Sequence, residues 1–337
     1  MRAMVYAAPR DLRLEDLADP ELGPDDVLVR IEACGICGSD VASYELGHYA
    51  KPGQVLGHEL SSVVVRAGSA LEGIEPGQRV AVRTSRSCGH CPYCTSGRPY
   101  LCGESGRFSI GYGARGGFAD LMVVRGVTVG DDLLPVPDDV SADDLVWTEP
   151  LSVAVHAVRR AGLTPTSGPA LVVGGGSVGL CVVAAAAAAG IEDLTVVEPR
   201  ADRRAAAERL GARVLSPAEL AEAVETYSGV VDTSGVAAAL TVPLRRLWIG
   251  GTLTLVGLGD DPVPWPLPAI ELVTSFAWDE QDFATAVAHI VEGRVRLSSY
   301  ISHRFTLEET GAAISASAHD AHVIKAVVYP GATTSAG

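Results

Sequence analysis

The sequence predicts an α/β protein that combines a β-rich part with a doubly wound parallel sheet. Residues 1–129 and 296–329 contain short apolar runs separated by Gly, Pro and Asp, which is typical of strands and turns. Residues 152–294 alternate apolar runs with alanine-rich stretches, which is the pattern of parallel strands joined by helices. The length of 337 residues also favours two domains.

The parallel part follows from its order along the chain. An apolar run at 170–173 is followed by an alanine-rich run at 178–189 and then by a second apolar run at 194–197. A helix around 282–292 is expected to close this part. We therefore predict one domain from residues 1–151 and 295–337, and a second from residues 152–294.

Charge and cysteine content exclude several classes of partner. The formal net charge is −15, which argues against binding to nucleic acid or to a membrane surface. The longest apolar run, 180–189, is too short to cross a bilayer. The chain has seven cysteines, an odd number, and its first residues do not resemble a signal peptide. We therefore expect reduced thiols and a cytoplasmic location.

Four cysteines in one short loop are the least ambiguous motif. Two gaps of two residues and one of seven separate Cys88, Cys91, Cys94 and Cys102. Four thiolates close the tetrahedral coordination sphere of Zn²⁺ and leave no position for substrate, so this zinc is predicted to be structural. The alternatives are two disulfides in a secreted protein or a redox pair.

A second group of metal-ligand residues lies earlier in the chain. Cys37 follows a predicted strand, and His58 and Glu59 come about twenty residues later. Thiolate and imidazole are ligands of zinc sites that keep an open position, and the adjacent acids Asp40 and Glu59 could orient them. The alternative is a structural turn. Glu149, immediately before a proline, is either another acidic candidate or a charge in the first turn of a helix.

A glycine-rich loop follows the predicted strand at 170–173. The required spacing of G-x-G-x-x-G is met, and a helix follows, so the loop is predicted to bind a dinucleotide pyrophosphate at the helix N-terminus. The residues concerned are Gly174, Gly176, Ser177, Val178 and Gly179. Glu198 ends the next strand, where an acid binds the ribose hydroxyls and favours NAD over NADP.

Three arginines close to Glu198 leave NADP open. Arg200, Arg203 and Arg204 are of the type that a 2′-phosphate needs. A solvated helix face is the expected explanation for at least two of them, and Arg203 is kept as a cofactor-binding candidate.

Taken together, these motifs resemble the zinc-dependent medium-chain dehydrogenases, and among them the sorbitol and threonine dehydrogenase branch of the alcohol and polyol dehydrogenases. The resemblance covers nearly the whole chain. It implies a GroES-like β-barrel catalytic domain (1–151 and 295–337, with the structural zinc loop at 88–102) into which a Rossmann domain (152–294) is inserted. It also implies an active site in the cleft, two zinc ions per chain, NAD and a homodimer or homotetramer.

The resemblance also implies individual roles. Cys37 and His58 would bind the catalytic zinc, and Glu59 and Glu149 would bind it directly or through water. Ser39 would pass the alcohol proton outward. Lys325 resembles a basic residue that touches the cofactor phosphate, although a solvated lysine at a strand end is an equal alternative. Cys34, and likewise Cys181 on the Rossmann helix, is expected in the core.

Two positions depart from the family pattern. Many relatives have a histidine where this chain has Ala42, and His48 is a candidate substitute in the proton path. Polyol dehydrogenases often carry an arginine where this chain has Ala277, which makes a linear polyol a weaker fit and favours a ring. Trp278, next to it, is either a cleft wall or a core residue.

The resulting expectation is a zinc- and NAD-dependent oxidoreductase that interconverts a secondary alcohol and its ketone by hydride transfer. The small polar substrate would be a polyol, a sugar, a cyclitol or an aminocyclitol. One alternative is an NADP-dependent ketone or aldehyde reductase of the same fold. Another is a catalytically silent zinc-containing relative, which the retained ligand residues disfavour.

Overall fold

The computed structural model describes residues 1–257, 259, 261–263 and 270–331, and the chain divides into two compact units. Unit 1 comprises Met1–Glu149 and Val287–Gly337, and unit 2 comprises Pro150–Ala286. Each of the two divides falls inside a helix. Within the described residues, no helix is long and apolar enough to cross a membrane.

The first segment of unit 1 is mainly β-structure. Its strands are β1 (Arg2–Ala8), β2 (Asp11–Asp16), β3 (Val27–Gly35), β4 (Gln54–Val55), β5 (Glu59–Ala67), β6 (Arg79–Val82), β7 (Leu121–Val124) and β8 (Leu133–Pro135). Its helices are α1 (Gly38–Leu46), α2 (Pro92–Thr95), α3 (Ser105–Phe108) and α4 (Ala142–Leu145), with a 3₁₀ turn at Pro99–Leu101.

Helix α5 (Thr148–Arg160) leads into unit 2, which alternates strands and helices as predicted. Its strands are β9 (Ala170–Val173), β10 (Leu194–Val197), β11 (Arg213–Leu215), β12 (Tyr227–Asp232), β13 (Leu247–Leu255) and β14 (Glu271–Thr274). Its helices are α6 (Ser177–Ala188), α7 (Ala201–Arg209), α8 (Pro217–Glu222) and α9 (Thr241–Arg246), with a 3₁₀ turn at Ala237–Leu240.

Helix α10 (Glu280–Val291) returns the chain to unit 1. The final segment contains a 3₁₀ turn at Ser298–Tyr300, and then β15 (His303–Thr306), α11 (Thr310–His319) and β16 (Ala326–Tyr329). Strand β16 pairs with β3, so the two ends of the chain form one sheet. This pairing is why residues near 325 can contact residues near 36 and 59.

Two sheets form unit 1 around one apolar core. The larger runs in the order β15-β16-β3-β5-β6-β8, with β7 also paired to β3, and the smaller runs β2-β1-β4. The core contains Val29, Ile31, Leu60, Phe118 and Met122. Val5 on β1 and Val55 on β4 belong to the same core, so the larger and the smaller sheet share it.

Unit 2 holds a six-stranded sheet in the order β11-β10-β9-β12-β13-β14, and its strand pairs are all parallel. This is the doubly wound order in which a dinucleotide binds where the strand order reverses. The central strand β9 is buried along its whole length, because helices cover both faces of such sheets. The α/β class and the doubly wound sheet are confirmed.

Candidate active site

The four-cysteine loop brings its thiols together. The sulfur atoms of Cys88, Cys91, Cys94 and Cys102 all lie within 4.8 Å of one another. The Sγ–Sγ distance is 3.5 Å for Cys91 and Cys94 and 3.9 Å for Cys88 and Cys94. Thiolates that bind Zn²⁺ tetrahedrally at about 2.3 Å stand about 3.8 Å apart, so this set fits a structural zinc.

Local structure explains how the loop reaches this arrangement. Helix α2 begins immediately after Cys91 and places Cys94 on its first turn. The 3₁₀ turn at Pro99–Leu101 then returns the chain to Cys102. The backbone N–H of Cys88 donates to the sulfur of Cys102 at 3.3 Å, and this bond lowers the pKa of the Cys102 thiol, which favours the thiolate that a metal binds.

A second thiol meets an imidazole beside strands β3 and β5. Gly35 and Glu59 pair in the antiparallel ladder of these strands, so Cys37 and His58 lie just beyond the same end of the ladder. Cys37 lies close enough to His58 to raise the pKa of its imidazole. Their closeness therefore follows from strand register, although they are separated by twenty residues in sequence.

Asp40 is the buried carboxylate that organises this end of the sheet. It accepts hydrogen bonds from the backbone N–H of Cys37 at 2.9 Å and of Gly57 at 3.3 Å. The hydrogen bond from Cys37 is part of the N-terminal cap of helix α1, and the Asp40 carboxylate lies 3.8 Å from Nδ1 of His58. One carboxylate therefore fixes the backbone of the thiol residue and lies beside the imidazole.

The imidazole of His58 is in a strongly negative environment. Burial opposes its protonation, but Asp40, Cys37 and Glu149 outweigh this effect and raise its pKa well above the ordinary value. Its buried Nδ1 makes no hydrogen bond in the described part of the chain. Negative charge around an imidazole and a thiol suits a divalent cation, so Cys37 and His58 fit a catalytic zinc.

Glu149, at the start of helix α5, also affects the His58 imidazole electrostatically. It is half-buried, and it contributes to the raised pKa of His58. Its position in unit 1 is consistent with the predicted approach to a metal held by Cys37 and His58. Whether it would bind directly or through water stays a prediction.

Glu59 has a different partner from the one expected. Its buried carboxylate forms an ion pair with Lys325, whose ammonium also donates to the carbonyl of Ile36 at 3.2 Å and lies over the Trp147 ring. A side chain at Gly35 would overlap Glu59 and Lys325, so glycine leaves room for the pair. Among the described residues, neither Glu59 nor Glu149 forms a three-ligand cluster with Cys37 and His58.

Lys325 is therefore not a solvated residue. Its exposed fraction is 1 %, which makes the alternative of a solvated strand-end lysine wrong. A buried lysine needs a compensating charge, and Glu59 supplies it. In this structure the Lys325 ammonium is paired with the Glu59 carboxylate. Its contact with a cofactor phosphate stays a prediction.

The glycine-rich loop lies at the carboxyl end of β9. Gly174 has a φ of 100°, which favours glycine, and a Cβ on Gly179 would overlap the carbonyl of Gly174. Gly176 caps helix α6 without a side chain, so the backbone N–H groups of Ser177 and Val178 begin the helix. That the N-terminus of α6 binds a pyrophosphate stays a prediction.

Glu198, at the end of β10, is hydrogen-bonded to the glycine-rich loop. Its buried carboxylate accepts hydrogen bonds from the backbone N–H of Gly175 at 2.8 Å and of Arg200 at 2.9 Å. The acid expected to bind ribose is therefore held against the glycine loop.

The three neighbouring arginines have separate surroundings. Arg200 pairs with Asp202, and Arg204 donates to the carbonyls of Glu198 and Pro199 at 2.8 Å and 2.7 Å. Arg203 lies beside the loop, with a guanidinium nitrogen 3.6 Å from the position of a Cβ on Gly176. Arg203 is thus the one of the three that lies against the glycine loop.

A third cluster of ligand-type residues is better explained as a buried salt bridge. His156, Asp279 and Asp282 lie within 4.8 Å of one another, but Arg159 donates to both carboxylates. Nδ1 of His156 is 2.7 Å from Asp282. The arginine already supplies the positive charge, so this group joins helices α5 and α10 and is not assigned to a metal.

Comparison with known proteins decides the family. Residues 23–138 match the family model described as the alcohol dehydrogenase GroES-like domain, and residues 177–292 match that of the zinc-binding dehydrogenases. Bovine sorbitol dehydrogenase is 31 % identical, with 91 % of this chain and 90 % of the relative covered. The chain belongs to the zinc-dependent medium-chain alcohol dehydrogenase family. The predicted family and the dehydrogenase activity are thereby confirmed.

Other relatives of this dehydrogenase support the assignment. L-idonate 5-dehydrogenase from Vitis vinifera is 31 % identical, over 89 % of this chain and 86 % of the relative. The solved alcohol dehydrogenase TADH from Thermus sp. ATN1 is 26 % identical, with a TM-score of 0.85 and coverage of 98 % and 99 %. The GroES-like domain with an inserted Rossmann domain is confirmed as the fold of this dehydrogenase.

The dehydrogenase has a tyrosine at this site that the motifs did not indicate. Tyr112 donates a hydrogen bond from its hydroxyl to the Ser39 hydroxyl at 2.6 Å, and its ring centroid lies 5.3 Å from that of His58. Burial raises the pKa of Tyr112, and Asp40 and Cys37 add to this, so the hydroxyl keeps its proton. A tyrosine between two glycines, Gly111 and Gly113, was the available but weak signal.

The structure shows the surroundings of Ala277 and its two neighbours in the dehydrogenase. Trp278 is 4 % exposed and stacks on Phe283 with a centroid distance of 5.6 Å, so it is a core residue. Ala277 has a φ of 53°, and the preceding Phe276 is 57 % exposed. Cys34 and Cys181 are buried, as predicted.

Proposed function

We propose that this dehydrogenase interconverts a polyhydroxylated secondary alcohol and its ketone with NAD as the hydride carrier. The observation that carries the proposal is the meeting of Cys37 and His58 beside Asp40, with Glu149 acting on the same imidazole. Binding-only relatives have no need for a thiol, an imidazole and two acids at one place. The residue roles below are part of this proposal.

Cys37 and His58 would hold the catalytic zinc, with Glu149 as the third candidate ligand. A zinc ion there supplies a Lewis acid, which lowers the pKa of a bound hydroxyl by several units. Asp40 keeps the Cys37 backbone in place through its 2.9 Å hydrogen bond and lies beside Nδ1 of His58. It therefore orients the groups that would bind the metal.

Ser39 is proposed to take the proton from the alcohol oxygen. It is half-buried, it lies two residues after Cys37, and its hydroxyl is hydrogen-bonded to Tyr112. A hydroxyl can accept one proton and release another at the same time. Bound NAD would supply the acceptor for the hydride, and the chain contributes position and electrostatics.

Glu198 supports NAD as the cofactor. Its carboxylate lies next to the glycine loop, where it can accept hydrogen bonds from ribose hydroxyls and would repel a 2′-phosphate. Arg200 and Arg204 are engaged by Asp202 and by backbone carbonyls. Neither is therefore placed as a free counter-charge for a 2′-phosphate.

One observation favours NADP as the second candidate cofactor. The guanidinium of Arg203 lies beside Gly176, and an arginine close to Glu198 is the residue type that a 2′-phosphate needs. A Sinorhizobium meliloti 1021 protein that was solved bound to NADP is 29 % identical, with a TM-score of 0.89 over 98 % of this chain. Measured preference between NAD and NADP decides between the two.

Two observations support the proposed substrate class: the substrates for which the relatives are named, and Ala277 at a position where polyol dehydrogenases often have arginine. Sorbitol dehydrogenase and L-idonate 5-dehydrogenase are named for polyhydroxylated substrates, and we carry that class over to this enzyme. Ala277 offers no hydrogen bond where polyol-specific relatives often have arginine, which favours a cyclitol, an aminocyclitol or a sugar ring over a linear polyol.

The test is a substrate panel with NAD and NADP at alkaline pH, in which absorbance of the reduced nicotinamide is followed. Sorbitol, a cyclitol, an aminocyclitol and an aldose compare linear with cyclic alcohols, and 1-propanol serves as a substrate without further hydroxyls. We expect NAD-dependent turnover of at least one polyhydroxylated alcohol and little turnover of 1-propanol. Turnover of 1-propanol alone would contradict it.

Self-association is also part of the proposal. Strand β14 is an edge of the six-stranded sheet, and Leu272 on it is 49 % exposed. An exposed edge strand with apolar side chains is a natural pairing surface. Sedimentation of the purified enzyme should therefore show a dimer or a tetramer, and a monomer at micromolar concentration would contradict this part.

A further inference from the structure

The hydroxyl pair of Ser39 and Tyr112 is the feature that the proposed reaction leaves unexplained. The two oxygen atoms are 2.6 Å apart, and Tyr112 is the donor. Ser39 lies on the first turn of helix α1, two residues beyond Cys37. Tyr112 comes from the loop that precedes β7, far from α1 in sequence. The fold therefore places this phenol on one particular hydroxyl beside the thiol–imidazole pair.

This geometry restricts what the Ser39 hydroxyl can do. A serine hydroxyl has one proton to donate and lone pairs to accept. Because Tyr112 donates to Ser39, a lone pair of Ser39 is occupied and its own proton is available for another oxygen. A hydroxyl held by a neighbour also loses less rotational freedom when it meets a substrate.

Tyr112 itself is anchored on both sides. Gln54 donates to the backbone carbonyls of Gly111 and Tyr112, which fixes the loop. The Tyr112 ring contacts the His58 ring on one side and packs edge-on against Tyr49 at a centroid distance of 6.4 Å. Tyr49 is 60 % exposed, so Tyr112 lies between Ser39 and a side chain that reaches solvent.

The helix next to Ser39 offers no replacement. The following turn of α1 presents Ala42, which has no polar side-chain atom. His48 is exposed and packs against Tyr49, and no hydrogen bond joins it to Ser39 within the described residues. Among the described side chains, Tyr112 is therefore the one that is hydrogen-bonded to Ser39.

We propose that Tyr112 is a positioning residue for the alcohol–ketone reaction, and that its hydroxyl holds Ser39 and passes protons between Ser39 and solvent. This inference rests on the proposed function. In oxidation, the alcohol proton moves to Oγ of Ser39, the original Ser39 proton moves to Oη of Tyr112, and the Tyr112 proton moves to water. In reduction the same O–H bonds form and break in reverse order, starting from the hydrogen bond that the structure shows.

The test is a double-mutant cycle of Tyr112→Phe and Ser39→Ala. Tyr112→Phe keeps the ring contacts and removes only the hydroxyl. We expect it to lower kcat by about tenfold or more, with KM changed by less than about twofold. In a protein that already carries Ser39→Ala, the same change should have almost no further effect, because the two hydroxyls act as one path.

Tyr49→Phe is the matched control, since it removes a tyrosine hydroxyl from the neighbouring ring, and it should leave kcat within about twofold. Multiplicative losses in the double variant, or a Tyr112→Phe enzyme with unchanged kcat, would overturn the inference. So would a Tyr112→Phe protein that loses its fold or its zinc, because the role would then be structural. A wild-type protein that turns over none of the panel would instead overturn the proposed function, and this inference with it.

Discussion

Lys51 and Lys325 are the two lysines of the chain, and at the scale of single residues their surroundings differ completely. Lys51 is exposed, whereas Lys325 is buried with Glu59 and over Trp147. The strand pairing of β16 with β3 brings Lys325 to this place. The sequence shows that both residues are lysines, but the pairing of β16 with β3, which are far apart in the chain, decides that Lys325 meets Glu59.

Lys325→Met should destabilise the fold by about 3 kcal/mol, because it leaves the Glu59 carboxylate buried without its counter-charge. The double variant Glu59→Gln with Lys325→Met should recover most of this loss. The measurement is the free energy of unfolding in urea, with Lys51→Met as the control at within about 0.5 kcal/mol of wild type. Equal effects of the two lysine substitutions would show that the buried pair contributes nothing.

Glu198→Ser should weaken discrimination against NADP. It removes the carboxylate that accepts from Gly175 and that would repel a 2′-phosphate. We expect the ratio of kcat/KM for NAD over NADP to fall by about tenfold, which is ~1.4 kcal/mol. Glu208→Ser, an exposed change on helix α7, should leave the ratio unaltered. An unchanged ratio in the Glu198 variant would reject NAD selection by this acid.

Helices α5 and α10 show what matters at the scale of elements. His156, which is buried, and Arg159, whose side chain is 43 % exposed, both lie on α5 and bind Asp282 on α10. Burial acts to raise the pKa of Asp282, but its hydrogen bonds with His156 and Arg159 leave the pKa below the ordinary value. The carboxylate is therefore ionised in the folded protein and ties the two helices together.

Asp282→Asn should cost about 3 kcal/mol at pH 7, and the cost should depend on pH with a defined sign. Because the folded pKa lies below the unfolded value of about 4, the wild-type contribution is present above that value and is lost as the pH falls through the folded pKa. Urea unfolding at pH 7, 5 and 3.5 measures it. The control is Asp202→Asn, which removes a carboxylate from the exposed ion pair with Arg200. If the difference in unfolding free energy between wild type and Asp282→Asn grew as the pH fell, Asp282 would not be ionised in the folded protein as described.

The zinc loop is an element whose formation depends on its ligands. Cys94→Ala should remove one zinc per chain and lower the melting temperature, since the short helix α2 and the 3₁₀ turn have little buried surface of their own. Cys181→Ala, which changes a buried cysteine outside the cluster, should keep the full zinc content. A fully folded Cys94→Ala enzyme that is inactive with its catalytic zinc in place would show that the loop takes part in the chemistry.

At the scale of the whole molecule, much of the fold could be predicted because its signals are local. Apolar runs at 170–173 and 194–197 became β9 and β10, and the glycine spacing marked the turn into α6. The return of the final strand into the first sheet was available only through the family resemblance, since no local pattern says which strand β16 pairs with.

The candidate site divides in the same way. Four cysteines with short spacing cluster because one loop carries them all, and the structure brings them together. The Glu59–Lys325 pair and the Ser39–Tyr112 pair join residues that are 266 and 73 positions apart. Neither pair has a spacing that a sequence motif could mark, so both could be seen only in the folded chain.

The most direct test of the central claim is zinc content measured together with activity in wild type and in Cys37→Ser. We expect about two zinc per chain in wild type. In Cys37→Ser we expect about one, held by the intact four-cysteine loop, in a folded protein that has lost NAD-dependent turnover. A Cys37→Ser protein that keeps both zinc ions and wild-type turnover would contradict the assignment of the catalytic centre.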